Sequence, residues 1–281
     1  MLTNMQNIAM ERTGLPAFLS VDEEGGTVAR VAANEAFGVT NVGNMSDIGA
    51  AGDAQKAYDA GVTIGTYLKQ LGFNVDYAPV ADVLTNPGNT AIGTRSFGSD
   101  ASMVADMVIK ELEGLSSQGV FGAVKHFPGQ GGVSGDSHDG AVTLDKSLEE
   151  LMQTELVPFQ KALENGVSFV MVGHISVPQV VGDNTPASLS QMMVSNVLRE
   201  QLGYQGIVIT DAMNMGAVTG NYTADQAAVM AVNAGVDMIL MPQDYETAYN
   251  GLLQAVQDGT ISEERIDESV ERIVKVKLQM Q

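Results

Sequence analysis

The sequence predicts a parallel α/β fold. Three observations carry this: six short, apolar, β-rich runs, helix-like sequence between them, and ionisable residues at the carboxyl ends of the runs. Runs that are apolar throughout, rather than alternating, are what strands covered by helices on both faces look like. Their spacing of ~30 to 60 residues leaves room for a crossover helix between parallel neighbours.

The strand runs lie at 16–22 (PAFLSVD), 73–80 (FNVDYAPV), 120–128 (VFGAVKHFP), 168–174 (SFVMVGH), 206–212 (GIVITDA) and 238–242 (MILMP). Helices are expected over 53–71, 101–117, 147–165, 190–202 and 224–234. The first opens on Asp53, a capping residue type, and stops at Gly72. The last, over 262–280, begins with Ser262 and two glutamates and turns basic at Arg272, Lys275 and Lys277, matching the helix dipole at both ends. Its apolar positions Ile266, Val270, Ile273 and Val276 form one stripe. No linker or low-complexity tract interrupts this pattern, so residues 1–281 are expected to form one domain.

Composition narrows the function. There are 34 acidic against 14 basic residues, a net charge of −20, which argues against nucleic-acid binding and docking on anionic lipid. The absence of cysteine excludes disulfides, thiolate nucleophiles and cysteine-ligated zinc. No apolar run reaches the ~18 residues of a membrane span, and the opening MLTNMQNIAMERTG lacks a basic region followed by an apolar one. A soluble protein is expected; cytoplasmic and extracellular or cell-envelope locations stay open, as does the oligomeric state.

The strand runs end in Asp22, Asp82 just beyond the second, Lys125 and His126, His174, and Asp211. In barrels and open α/β sheets the carboxyl edge carries the active site, because loops converge there. All three histidines, His126, His138 and His174, fall at or just after strand ends; for any one alone, a hydrogen-bonded core residue is the alternative. The loop 129–140 (GQGGVSGDSHDG) has five glycines in twelve residues and so can approach a ligand closely. Within it Asp136 and His138 are two apart, a spacing at which the carboxylate can accept from one imidazole nitrogen while the other faces a substrate. No G-K-[ST] follows the glycines, so the loop is not a phosphate-binding P-loop. Asp211 is either a pocket carboxylate, with Lys125 or Arg95 nearby to compensate it, or the N-cap of the segment AMNMGAV.

Four blocks, VDEEGGTVAR at 21–30, IGTRSFGSD at 92–100, KHFPGQGGVSGDSH at 125–138 and GIVITDAMNMGAV at 206–218, resemble glycoside hydrolase family 3. The nearest likeness is to its bacterial single-domain β-N-acetylhexosaminidases, the NagZ type. The resemblance implies that Asp211 is the nucleophile and His138 the general acid/base, with Asp136 as its dyad partner. It implies that Asp22, Arg30, Arg95, Lys125 and His126 hold the sugar, and that His174 lines the site. The implied activity is removal of terminal N-acetylglucosamine with retained stereochemistry, often from peptidoglycan fragments, with no metal or organic cofactor. The family usually writes KHFPGHGDT, so Gln130 and Gly132 stand where histidine and aspartate are expected. The resemblance implies a (β/α)8 TIM barrel in which residues 1–281 are a single catalytic domain, N-terminally incomplete relative to the family: two βα units precede the first strand there, whereas only fourteen residues precede it here, and these resemble the tail of the helix entering that strand. Three other readings stand beside this one. A metal-dependent amidohydrolase barrel would need a strand-end H-x-H pair that is absent; the others are a β-glucosidase or other exo-glycosidase of the same family, and a non-catalytic sugar-binding relic.

Overall fold

The computed structural model describes residues 1–138 and 140–280. Its centre is one parallel sheet whose strands lie side by side in chain order: β1 (Ser20–Val21), β2 (Val75–Asp76), β3 (Phe121–Phe127), β4 (Phe169–Val172) and β5 (Ile207–Thr210). The sixth run continues the sheet as a parallel bridge from Met238 to Ile209. Each predicted run therefore contributes in the predicted order. Most do so over fewer residues than the apolar runs suggest, because hydrophobicity marks burial whereas ladder bonds end where the chain turns into a loop.

Several helices match their sequence signals. Asp53 accepts from the Gln55 amide and Gly72, at φ 97°, closes the Ala54–Leu71 helix. Asp100 accepts from the Met103 amide at the start of Ala101–Ser117. A Thr223–Gln226 capping box opens Ala224–Ala234, and Ser262 caps Glu263–Leu278. Two expectations need correction. The helix expected over 147–165 is two, Leu148–Gln153 and Val157–Glu164, since Pro158 has no amide with which to continue the turn. The segment expected as an α-helix over 190–202 is wound as a π-helix over Met192–Gln201. The first fourteen residues form a helix, Leu2–Thr13, as their sequence suggests. A helix at Tyr245–Gln257, opened by Asp244, was not among the expected elements.

The two faces of the sheet are buried differently. Val124, Val170, Val172 and Val208 point to a large core shared with the surrounding helices. Residues in alternate positions, Ala123, Phe169, Met171, Ile207 and Ile209, pack instead against Ile273 and Val276 of the C-terminal helix and against Phe18. Phe18 meets Phe169 edge to face at 5.1 Å. The stripe on the C-terminal helix thus covers the second face of the sheet. No helix among the described residues is long and apolar enough to cross a membrane.

Asp237 fastens that helix to the sheet. Its Oδ2 accepts from Arg199 Nη2 (2.5 Å) and the Val208 amide (2.9 Å), and its Oδ1 from Arg272 Nη1 (3.0 Å) and Ser269 Oγ (2.7 Å). The carboxylate is fully buried, so removing it leaves partly buried guanidinium groups without their counter-charge. Asp237→Ala is expected to destabilise the protein by about 3–5 kcal/mol. Urea unfolding checks this, and a loss below ~1 kcal/mol contradicts the anchoring role.

Candidate active site

Lys125, near the end of β3, is only 2% exposed, yet its charge is well compensated. Its Nζ lies 2.7 Å from Asp22 Oδ1 and 2.6 Å from Glu24 Oε1. Arg95 grips the same Glu24 with two bonds, Nε to Oε2 at 2.7 Å and Nη2 to Oε1 at 2.8 Å. Such forked pairing fixes geometry as well as charge. Burial raises the Glu24 carboxyl, but Lys125 and Arg95 outweigh it and bring its pKa down to about 2. Burial likewise lowers Lys125 and Arg95, and the facing carboxylates reverse the shift, so both stay protonated.

Glu24 was not among the predicted site residues, although a period-two signal was present. In extended backbone, Asp22 and Glu24 share one side and Glu23 takes the other. Glu23 turns away to accept from the Val31 and Ala32 amides and from Tyr67 Oη. The doublet EE therefore divides between site and scaffold. Just beyond it, Glu23–Gly25 and Val28–Ala29 form an antiparallel hairpin. Its turn uses Gly25 and Gly26 at φ 91° and 55°, where a Cβ on Gly26 would lie 2.4 Å from Asn44 Oδ1.

The second missed residue is Asp82. Its Oδ2 is 2.7 Å from His126 Nδ1, while its Oδ1 accepts from the His126 amide (3.2 Å) and the Gln130 amide (2.6 Å). Nδ1 thus carries the proton, and His126 Nε2 faces Arg95 Nη2 at 3.4 Å as an acceptor. Its signal was its position two residues past the second run, where sequence alone does not show what it touches.

His174 is turned inward. Nε2 donates to the Ala212 carbonyl (3.0 Å) and Nδ1 accepts from Ser188 Oγ (2.7 Å), so neither nitrogen is free for a ligand. Burial lowers its pKa and favours this neutral form. His174 thereby holds the turn that follows Asp211.

Asp211 does not cap a helix, because the next one, Gly216–Thr219, has Met215 at that position. Its Oδ1 accepts from the Ala212 amide (2.7 Å), and its own amide donates to the Val172 carbonyl. Among the described residues its Oδ2 has no hydrogen-bond partner. Burial raises this carboxyl, yet the net shift is below the usual aspartate range, with the Ala212 amide bond and the Lys125 charge among the groups that lower it.

The Asp136–His138 pair forms as its spacing suggests. His138 Nδ1 lies 2.6 Å from Asp136 Oδ1, which also accepts the His138 amide at 2.9 Å. Asp136 fixes the Nδ1–H tautomer and leaves Nε2 unpartnered among the described residues, on a side chain 65% exposed. The Gly216 and Ala217 amides donate to the carbonyls of His138 and Ser137, docking this loop on the helix just after Asp211. Arg95 lies within electrostatic reach of both Asp136 and Asp211. Arg30 stands apart: its amide meets the Asp22 carbonyl at 3.4 Å, and its exposed side chain has no partner among the described residues.

Gln130 and Gly132 are both accommodated. Gln130 Nε2 donates to Ser137 Oγ at 3.1 Å. A Cβ on Gly132 would lie 2.8 Å from Thr85 Oγ1 and 3.0 Å from Leu144 Cδ1, with Glu155 Oε1 at 3.3 Å. An aspartate there would crowd the buried Glu155, which is already paired with Lys146. Among the described residues no group of three or more His, Asp or Glu side chains is placed to hold a metal ion, the donor set an amidohydrolase barrel needs.

The paired Glu24 carries a pH prediction. A carboxyl depressed by folding adds stability that is complete above its unfolded pKa and is lost as pH falls through its folded value. Glu24 should therefore contribute roughly 3 kcal/mol at neutral pH, lost between about pH 4.5 and 2. Thermal melts across that window should show a shallower acid loss for Glu24→Gln than for wild type; identical slopes contradict this.

Comparison with known proteins identifies the family of the chain. The profile of the Glycosyl hydrolase family 3 N terminal domain matches residues 1–276. The chain is 33% identical to beta-hexosaminidase A of Pseudoalteromonas piscicida over 306 aligned positions, covering 99% of this chain and 50% of that protein. It is 35% identical to beta-hexosaminidase LpqI of Mycobacterium tuberculosis, covering 94% of this chain and 68% of LpqI. The solved family 3 beta-N-acetylglucosaminidase from Paenibacillus superposes with a TM-score of 0.94 at 42% identity, covering 99% of this chain and 53% of that one. The chain thus spans about half the length of the Pseudoalteromonas and Paenibacillus proteins. By profile, sequence and fold, the chain belongs to glycosyl hydrolase family 3, through that family's N-terminal domain.

Proposed function

We propose that this site removes terminal β-linked N-acetylglucosamine from its glycosides with retained stereochemistry, peptidoglycan fragments being one source of substrate. The observation that carries the reading is the Asp136–His138 pair, docked on the helix that follows an unpartnered, anionic Asp211 oxygen. The parallel sheet in chain order, with its polar residues gathered at the carboxyl ends, supports a (β/α)8 barrel as the scaffold. The names of the Pseudoalteromonas, Mycobacterium and Paenibacillus relatives support a β-linked amino sugar as substrate.

In the first step, Asp211 Oδ2 forms a bond to the anomeric carbon as the bond to the leaving oxygen breaks. Protonated His138 gives its Nε2 proton to that oxygen. In the second step, water attacks the anomeric carbon of the glycosyl ester, loses a proton to Nε2 and releases Asp211. Two inversions give net retention. An imidazole can both give and take a proton, which suits both halves of this exchange. Asp136 holds the ring and stabilises the imidazolium without itself becoming protonated; burial raises its carboxyl, but bonds from the His138 amide and ring outweigh this and leave it lowered. Lys125, Asp22, Arg95 and His126 supply donors and acceptors for the sugar hydroxyls, with the exposed guanidinium of Arg30 at the rim. His174 positions Asp211 through the Ala212 carbonyl.

The test is release of 4-nitrophenol from the N-acetyl-β-D-glucosaminide against the β-D-glucoside. The first should be clearly faster; equal rates overturn the specificity. Asp211→Ala should lose about 10³-fold or more, and retained activity overturns its role. The acid limb of kcat/KM should fall below the ordinary aspartate value of ~3.9, because Asp211 remains ionised there. His138→Ala should lose about 10²–10⁴-fold on a poor leaving group and far less on an acidic phenol. Equal losses on both remove it as the general acid.

A further inference from the structure

The loop that carries the dyad has little apolar side-chain surface with which to hold itself in place. Val133 anchors it in the main core, and its other attachments are polar. Asn86 donates to the Val133 carbonyl and to Ser134 Oγ, and the Gly216 helix takes up the carbonyls of Ser137 and His138. The Asn86 amide also donates to the Gly131 carbonyl, and a further tether is a side-chain bond from Gln130 to Ser137, the residue between Asp136 and His138. Both of its ends are buried, Gln130 at 3% exposure and Ser137 at 1%, although the neighbouring imidazole is open to solvent.

Gln130 is itself fixed from the sugar side of the site. Its amide donates to Asp82 Oδ1 at 2.6 Å, and its carbonyl accepts from Asn89 Nδ2 at 2.6 Å. Asp82 holds His126, and the Asn89 segment leads directly into Arg95. We propose that Gln130 is a positioning residue, latching the Asp136–His138 loop to the segments that carry His126 and Arg95. The inference rests on His138 being the acid/base. An amide does not titrate, so the latch holds equally in both protonation states of His138. It restrains the residue beside the imidazole and leaves the ring free to meet the leaving oxygen.

The test uses Gln130→Met, which keeps the length of the side chain without its donor, and Ser137→Ala, which removes the same bond from the loop side. Amide hydrogen exchange over residues 133–142 should quicken about fivefold in each variant, the effect of one neutral hydrogen bond. Turnover of an aryl glycoside with a poor leaving group should fall by a similar factor, with little change for an acidic phenol. The double variant should be no worse than either single one. Unchanged loop exchange in both variants, or equal losses for both leaving groups, overturns the latch. Should wild type release no sugar from any aryl glycoside, the functional reading fails, and the exchange rates alone decide the latch. Should Gln130→Met fail to fold, Ser137→Ala decides by the same measurements.

Discussion

An ammonium group buried to 2% exposure cannot stand without anions, and the arrangement of the site follows from meeting that demand for Lys125. Asp22 and Glu24 lie beyond β1, Lys125 near the end of β3, and Arg95 on the connection that follows β2. Three separate stretches of chain are bound by charges that none could bury alone. Removing one partner from such a group leaves another uncompensated, which typically costs about 3–5 kcal/mol. In a chain of net charge −20, these are two of only fourteen basic residues.

The partner, not the residue type, decides the state of each ionisable group here. Glu24, gripped by two cations, is held at about pH 2. Glu111, fully buried on the Ala101–Ser117 helix with neither carboxylate oxygen bonded among the described residues, is pushed by burial up to about 8. Asp76 Oδ2 is likewise unpartnered, and burial raises that carboxyl too. Holding protons on these two acids limits the negative charge around Lys125. The glycines that let the helices meet help to place Glu111: a Cβ on Gly61 would lie 2.3 Å from its carbonyl oxygen. The three histidines divide in the same way. His126 is held by Asp82, His174 is spent on Ser188 and the Ala212 carbonyl, and His138 keeps one nitrogen open.

Sequence reading went furthest where a signal is local. The caps at Asp53 and Ser262, the stripe of Ile273 and Val276, and the two-residue spacing of Asp136 and His138 all depend on neighbours a turn or less away. It was weaker where a residue's work lies with a distant partner. Glu24 looks like half of a turn doublet until Lys125, 101 positions later, is beside it. Asp82 and His126 are separated by 44 positions. His174 carries the same strand-end signature as His126, and only its bonds to Ser188 and the Ala212 carbonyl show that it is turned inward.

From sequence alone came the order of the strands, the helices between them, the edge on which polar residues gather and the family to which those motifs belong. The elements and the polar edge follow from periodicity, capping and spacing, which act over a few residues, whereas the family follows from the resemblance of four motif blocks. Tertiary structure alone decided that Asp211 is free rather than a cap, that Glu24 and Asp82 complete the site, and that Gln130 reaches Ser137. Charge compensation and hydrogen-bond satisfaction are properties of side chains brought together across the fold, and a linear sequence lists the groups without saying which of them will meet.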